Sequence, residues 1–307
     1  MRIVVSEFMG EPAVARLAEA HDVLYDAALV DDPAALARAV ATADALVVRN
    51  RTQVRGALLA AAPRLRVVGR LGVGLDNIDV EACAARGIAV IPATGANARA
   101  VAEYVIAAAM LLLRGAYGST GDVAAGRWPR NALSQGRELA AKTLGLVGFG
   151  SIGQMTGVLA KAIGMRVVAF DAVVGAGDAA YASVGAAPAS LEEVVAASDV
   201  VSLHVPLLPA TRGLFDAARI SAMKRGAVLI NTSRGGIVDE TALVAALHGG
   251  RLGGAALDVF EHEPLGAENP FTGCPNLLLT PHIAGVSFEA NERVSALIAE
   301  RVLEALG

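Results

Sequence analysis

The chain has 307 residues, enough for two domains each with its own core, and carries a net charge of −4 from 26 basic and 30 acidic side chains. With no basic block in so even a balance, nothing points to nucleic acid or to an anionic membrane. The longest apolar run, Val105–Leu113, is too short to span a bilayer.

The N-terminus enters a strand-like RIVVS with no signal-peptide pattern, and Cys83 and Cys274 have neither metal-like spacing nor a disulfide framework. These features predict a soluble, cytoplasmic protein. Strand-like and helix-like pieces then alternate. Ile3–Ser6, Val23–Tyr25, Ala45–Arg49, Leu65–Gly69 and Ile88–Ile91 read as strands. Helices are expected at Pro12–Ala20, Pro33–Ala41, Leu58–Ala61 and Val80–Arg86, the second with Pro at its start. That order predicts a parallel sheet covered on both faces. Asn97, a favoured N-cap, opens a long helix over Ala98–Arg114. The mixed stretch 115–138 reads as a projecting arm, whose Trp128 either meets another subunit or covers its own domain.

The next segment, TLGLVGFGSIGQMTGVLAKAIGMRVVAFD, is the most informative in the chain. A short apolar strand, Leu144–Val147, stops at Gly148, Gly150 and Gly153, spaced G-x-G-x-x-G. A helix over Ser151–Ile163 and a second strand, Met165–Phe170, follow, with Asp171 at the end. Strand, glycines, helix, strand and acid together form a dinucleotide-binding unit. The glycines let backbone amides and the helix N-terminus approach a pyrophosphate. Asp171 is placed to accept hydrogen bonds from a ribose 2′-OH and to repel a 2′-phosphate, which favours NAD over NADP. Further strands are expected at Val200–His204, Ala227–Asn231, Ala255–Val259 and Leu277–Leu279, and a last amphipathic helix at Glu289–Leu306.

Ligands of open parallel sheets bind beyond the carboxyl ends of the strands. There AVLIN is followed by Thr232, Ser233 and Arg234, AALDV by Glu261, His262 and Glu263, and LLLT by His282. Arg234 suits a substrate carboxylate, which a guanidinium grips with two parallel hydrogen bonds. His282 suits proton donation to a ketone oxygen, aided by a neighbouring carboxylate. Spacing alone leaves Glu261 and Glu263 open as that partner. His21, His204 and His248 show no ligand grouping, so no metal is expected.

GFGSIG with Asp171, SLHVPL (202–207), INTSRGGIVDE (230–240), ALDVFEHEPL (256–265) and LTPHIAG (279–285) resemble the D-isomer-specific 2-hydroxyacid dehydrogenase family over nearly the whole chain. The resemblance implies an α/β protein of two Rossmann-like domains. A flavodoxin-like substrate domain would be built from 1–96 and 285–307, and an NAD-binding doubly wound sheet from 97–284, with the active site in the cleft between them. It also implies a homodimer and a small 2-hydroxy or 2-oxo acid as substrate. Arg234, Glu263 and His282 match the family's catalytic set, which selects Glu263 over Glu261. Ser151 and Ile152 match pyrophosphate contacts, and His204, Val205, Pro206 and Thr211 match the adenine side. Thr232, Ser233, Asp258, Ala284 and Gly285 match the nicotinamide side. The backbone of Leu71, Gly72, Val73 and Gly74 matches the loop that receives the substrate carboxylate.

Arg49, Arg70 and Asn97 match positions where phosphoglycerate-oxidising members meet the distal end of the substrate. Two arginines beyond Arg234 suggest a second anionic group. The stretches SEFM (6–9), VVRNRT (47–52) and VGRLGVGLDNIDVEAC (68–83) most resemble members acting on (S)-3-sulfolactate and 3-sulfopyruvate. The alternatives are 3-phosphoglycerate or hydroxypyruvate/glyoxylate chemistry, formate oxidation, and an NAD(H)-sensing, corepressor-like interaction protein.

Overall fold

The computed structural model describes residues 1–307, which divide into two compact units, 1–97 with 286–307 and 98–285. The first unit begins β1 (Arg2–Val5), α1 (Glu11–Ala18), β2 (Asp22–Tyr25), α2 (Pro33–Val40) and β3 (Ala45–Val48). It continues α3 (Gly56–Ala60), β4 (Val67–Arg70), α4 (Val80–Ala85) and β5 (Ala89–Pro92). The strands form one parallel sheet in the order β2-β1-β3-β4-β5, the flavodoxin-like arrangement.

Alternation along each strand sends side chains to opposite faces. Val4, Leu46, Val48 and Val68 face one core with Leu36, Val40, Leu59 and Cys83. Ile3, Val5, Ala45, Val47 and Val67 face another with Leu17. Asp32 and Asp79 cap α2 and α4 by accepting the amides of Ala35 and Ala82.

The second unit begins with α5 (Ala98–Arg114) and α6 (Thr120–Ala124). It continues through β6 (Thr143–Val147), α7 (Ser151–Ala162), β7 (Arg166–Phe170), α8 (Ala179–Val184), β8 (Ala187–Pro188), α9 (Leu191–Ala197) and β9 (Val200–Leu203). It ends with α10 (Ala217–Ala222), β10 (Val228–Asn231), α11 (Glu240–His248), β11 (Gly254–Leu257) and β12 (Leu277–Leu279). Seven parallel strands lie in the order β12-β11-β10-β9-β6-β7-β8, the doubly wound order with its reversal between β6 and β9. Leu144, Leu146, Val228 and Ile230 bury against α5 and α7, and Val201, Leu203 and Leu229 bury on the other face with Leu243 and Leu247 of α11.

No single helix is long and apolar enough to cross a membrane. Stretch 115–138, expected as a loop, contains the short helix α6. Trp128 on it is 76 % exposed and so does not cover its own unit.

The chain returns to the first unit in α12 (Phe288–Leu306), capped by Ser287. Ile298 and Val302 press so closely on β4 that a Cβ on Gly69 would fall within 2.9 Å of both. The first turns of α12 also tie down the loops after three strands. Asn291 Oδ1 accepts from Arg49 after β3, Arg293 Nε donates to the Ala96 carbonyl after β5, and Ser295 Oγ accepts from the Gly10 amide after β1.

Candidate active site

In the seven-stranded sheet, one row of paired residues crosses from Leu279 through Leu257, Asn231, Leu203 and Val147 to Phe170. The residues just past that row carry nearly all the chemistry the sequence suggested. After Val147, a Cβ on Gly148 would strike the His204 carbonyl and one on Gly153 would overlap the Gly148 carbonyl, whereas Gly150 faces open space. The three glycines therefore differ in task. Gly148 and Gly153 permit close packing, and Gly150 leaves room for a ligand.

Helices α8 to α12 are capped by Asp or Ser side chains, except that α7 before them starts at Gly150 with no side-chain cap. Its first helical bond is Gln154 N to Gly150 O, so the amides of Ser151, Ile152 and Gly153 are donors that the helix does not use. Asp171, past β7, accepts from the amides of Phe149 (2.6 Å), Val173 (2.7 Å) and Val174 (2.9 Å). Burial pushes its carboxyl up, but the three amides outweigh it and the net effect is a lowered pKa.

Past β9, the His204 Nε2 lies 3.0 Å from Ser202 Oγ, and burial pushes its imidazole down to about 4. Val205 packs on the adjacent core. Thr211 Oγ1 donates to the Pro206 carbonyl at 2.6 Å and accepts from the Leu208 amide, which knits the 206–211 turn.

At the end of β10, Asn231 is buried and holds the next residues in place. Its Oδ1 accepts from Ser233 N and Oγ, and its Nδ2 donates to the Arg234 carbonyl. Thr232 Oγ1 is buried with no hydrogen-bond partner. Gly235 then crosses the β11 loop so closely that a Cβ there would overlap the Phe260 carbonyl. The Arg234 loop and the Glu263 loop are thus fixed to each other through backbone.

Glu263 uses both carboxylate oxygens. One accepts from the Phe260 amide at 3.0 Å, and the other lies 2.8 Å from His282 Nδ1. Nδ1 is the donor to that carboxylate, so Nε2 is the nitrogen left for chemistry. Glu261 is held elsewhere, its amide donating to Glu240 Oε1. His282 sits in the left-handed region at φ 58°, costly for a residue with a Cβ, and its amide donates to the Asp258 carbonyl at 2.8 Å.

Asp258, expected to touch the cofactor directly, is 1 % exposed. Its carboxylate accepts from Thr280 Oγ1, Ile283 N and Ala284 N, so it organises the His282–Gly285 turn instead. Asn231 and Glu240 escaped the sequence reading. An Asn closing an apolar strand was the only signal for the first, and nothing local marked the second.

In the five-stranded sheet, Val48 pairs with Arg70, so Arg49 and Arg70 leave neighbouring strands at the carboxyl edge. Buried Glu7 accepts from the amides of Arg49, Arg51 and Thr52, and Asn77 Nδ2 donates to the carbonyls of Arg49 and Thr52. The Arg70 guanidinium donates to the Leu71 carbonyl and occupies the space a side chain at Gly72 (φ 153°) would need. The amides of Leu71 and Gly72, expected to receive a carboxylate, already donate to Val48 O and Arg70 O. In this loop, Val73 and Gly74 carry the remaining amides. Asn97 does not cap α5: its Oδ1 is buried without a partner.

The second unit fits a bound dinucleotide. The uncapped α7 amides suit its phosphates, Gly150 provides room, and the orphaned Thr232 hydroxyl needs a partner that the protein does not supply. The pattern described as "D-isomer specific 2-hydroxyacid dehydrogenase, NAD binding domain" matches residues 106–284. The chain is 53% identical over 305 residues to an (S)-sulfolactate dehydrogenase of Chromohalobacter salexigens, covering 99% of this chain and 98% of that one. It is 41% identical to the chloroplastic D-3-phosphoglycerate dehydrogenase 2 of Arabidopsis thaliana, but spans only 48% of that protein's length. A crystal structure of the TT0316 protein from Thermus thermophilus superposes with a TM-score of 0.86 at 35% identity, covering 100% of this chain and 97% of that one. With the doubly wound sheet, its uncapped phosphate-facing helix and these likenesses together, the chain belongs to the D-isomer specific 2-hydroxyacid dehydrogenase family, a family of NAD-dependent oxidoreductases of small 2-hydroxy acids.

Proposed function

We propose that the protein interconverts (S)-3-sulfolactate and 3-sulfopyruvate with NAD. The observation that carries this reading is the pair Arg49 and Arg70 at neighbouring strand ends, taken with the 53% identity to an (S)-sulfolactate dehydrogenase. A sulfonate adds a fixed second negative charge to the substrate, and two guanidinium groups suit it.

Arg234 holds the substrate carboxylate and polarises the neighbouring carbonyl. In the reductive direction, His282 gives its Nε2 proton to the ketone oxygen; in the oxidative direction, the same nitrogen takes the hydroxyl proton. Glu263 fixes the ring and its tautomer through Nδ1, as its 2.8 Å contact supports. NAD, when bound, supplies or accepts the hydride at the carbonyl carbon. Ser151, Ile152 and Gly153 would hold its pyrophosphate, Asp171 its ribose, and Thr232 a group on the nicotinamide side. Asp258 acts through the Ile283 and Ala284 amides.

Residues 1–97 with 286–307 serve as the substrate domain and 98–285 as the cofactor domain. The reading includes a cytoplasmic homodimer. Exposed Trp128, Tyr117 and Val123 on one stretch support the dimer, and two free cysteines suit a reducing compartment.

The test is NADH oxidation with sulfopyruvate, 3-phosphohydroxypyruvate, hydroxypyruvate, pyruvate and glyoxylate. The expected result is a clear preference for sulfopyruvate. Preference for pyruvate or glyoxylate would discard the second anion site, preference for the phosphate would reassign it, and no turnover at all would point to formate oxidation or to NAD(H) sensing.

A further inference from the structure

Arg49 is the better defined of the two arginines at the five-stranded edge. Its backbone is clamped on both sides, the amide by Glu7 and the carbonyl by Asn77. Its tip is held as well. Nη2 donates to Asn291 Oδ1 at 3.0 Å, and the guanidinium carbon lies 5.7 Å from the Phe8 ring centroid, within cation–π range. Both tip partners are uncharged.

A half-buried arginine is usually matched by a carboxylate. Here burial lowers the guanidinium's pKa while the charge of nearby Glu7 opposes it, and the Glu7 carboxylate is occupied by backbone amides. The tip is therefore oriented by an amide oxygen and a ring face, which fix its direction without cancelling its charge. Asn291 reaches it from α12, the helix whose neighbouring Arg293 and Ser295 brace the loops after β5 and β1.

We infer that Asn291 is a specificity-determining residue: it aims Arg49 at the substrate's second anionic group and, being neutral, keeps that arginine's charge available. This rests on the reading of Arg49 as an anion-binding residue given above. A carboxylate at the same position would aim the guanidinium equally well and neutralise it.

The decisive variant is Asn291→Asp. It is nearly isosteric, keeps an acceptor for Nη2, and adds a negative charge in the first turns of α12, where the helix dipole favours one. The fold is therefore retained. Steady-state kinetics of the full chain with sulfopyruvate and with pyruvate, run beside Arg49→Ala, separate the possibilities. For Asn291→Asp we expect KM for sulfopyruvate to rise about tenfold or more, with kcat little changed and KM for pyruvate within about twofold. Asn291→Ala, which loosens the tip but leaves its charge, should show a smaller selective rise.

If Arg49→Ala loses sulfopyruvate selectively while Asn291→Asp behaves as wild type, the role of Asn291 is overturned and the anion-binding reading of Arg49 stands. An Asn291→Asp enzyme impaired equally on both substrates overturns it too. If Arg49→Ala itself affects both substrates alike, the anion-binding reading fails first and the inference with it.

Discussion

Gly235 and Phe260 meet backbone to backbone: the α-carbon of one lies so close to the carbonyl of the other that no side chain fits between them. Gly235 follows Arg234 directly, and Phe260 donates its amide to Glu263, so this crossing sets the spacing of two loops that carry reacting groups.

Gly235→Ala should therefore damage both stability and turnover. The overlap is with main chain, which no rotamer change relieves, and the expected destabilisation is about 2–4 kcal/mol. Urea unfolding followed by circular dichroism measures it. A variant as stable and active as wild type would show that the two loops move apart freely.

The His282–Glu263 pair predicts a graded series. His282→Ala should lower kcat by about a hundredfold or more while leaving NADH binding intact. Glu263→Gln keeps a hydrogen-bond partner for Nδ1 but loses the charge, and should fall between that variant and wild type. NADH affinity by fluorescence titration, set beside kcat, separates loss of chemistry from loss of binding. Full turnover by the alanine variant would remove His282 from proton transfer.

His204 predicts an acid sensitivity. Its imidazole titrates near 4 in the folded protein against an ordinary 6.5, so between these values the unfolded chain binds more protons than the folded one. Stability should fall as pH drops from about 6.5 to about 4, with no further loss from this group below that. His204→Gln should flatten this part of the stability–pH curve, as read from denaturant midpoints at about pH 7 and about pH 4.5. An unchanged slope would place the acid sensitivity in other groups.

Asp171 adds an acid sensitivity of the same sign at lower pH. Its carboxyl is lowered in the folded state, so the stability it gives is present above the ordinary aspartate value of about 4 and is lost as pH falls through the lower folded value. Asp171→Asn should weaken NAD binding at neutral pH and narrow the preference over NADP. Its stability deficit should shrink as acid protonates the wild-type group. Equal NAD and NADP affinities in the wild type would show that this carboxylate does not select the ribose.

Much of this was legible from sequence because strand ends are legible. Once β6, β9, β10, β11 and β12 are recognised as parallel, Gly148, His204, Arg234, Glu263 and His282 must appear on one edge of the sheet. Local rules also placed α2 from its Pro and α12 from its apolar spacing. What escaped depends on contacts between distant residues. The capping preference of Asn predicted that Asn97 would cap α5, whereas the folded chain buries its oxygen without a partner. The family resemblance implies carboxylate-binding amides over Leu71–Gly74, but those of Leu71 and Gly72 are consumed by neighbouring carbonyls. The family resemblance implies Asp258 on the nicotinamide side, and nothing local shows that its three donors come from residues 22 to 26 positions away.

The use of α12 has a consequence for how the molecule is made. The five strands of the first sheet are synthesised early, but Ile298 and Val302, which cover β4 at Gly69, follow only after residues 98–285. At a ribosomal rate of about 5–20 residues per second, one face of that sheet waits roughly ten seconds or more for its cover. The second unit is contiguous in sequence and can fold during that interval. Biogenesis thus runs against the order of synthesis: the half begun first is completed last, and a nascent chain stalled before α12 would expose the apolar face of a parallel sheet to chaperones.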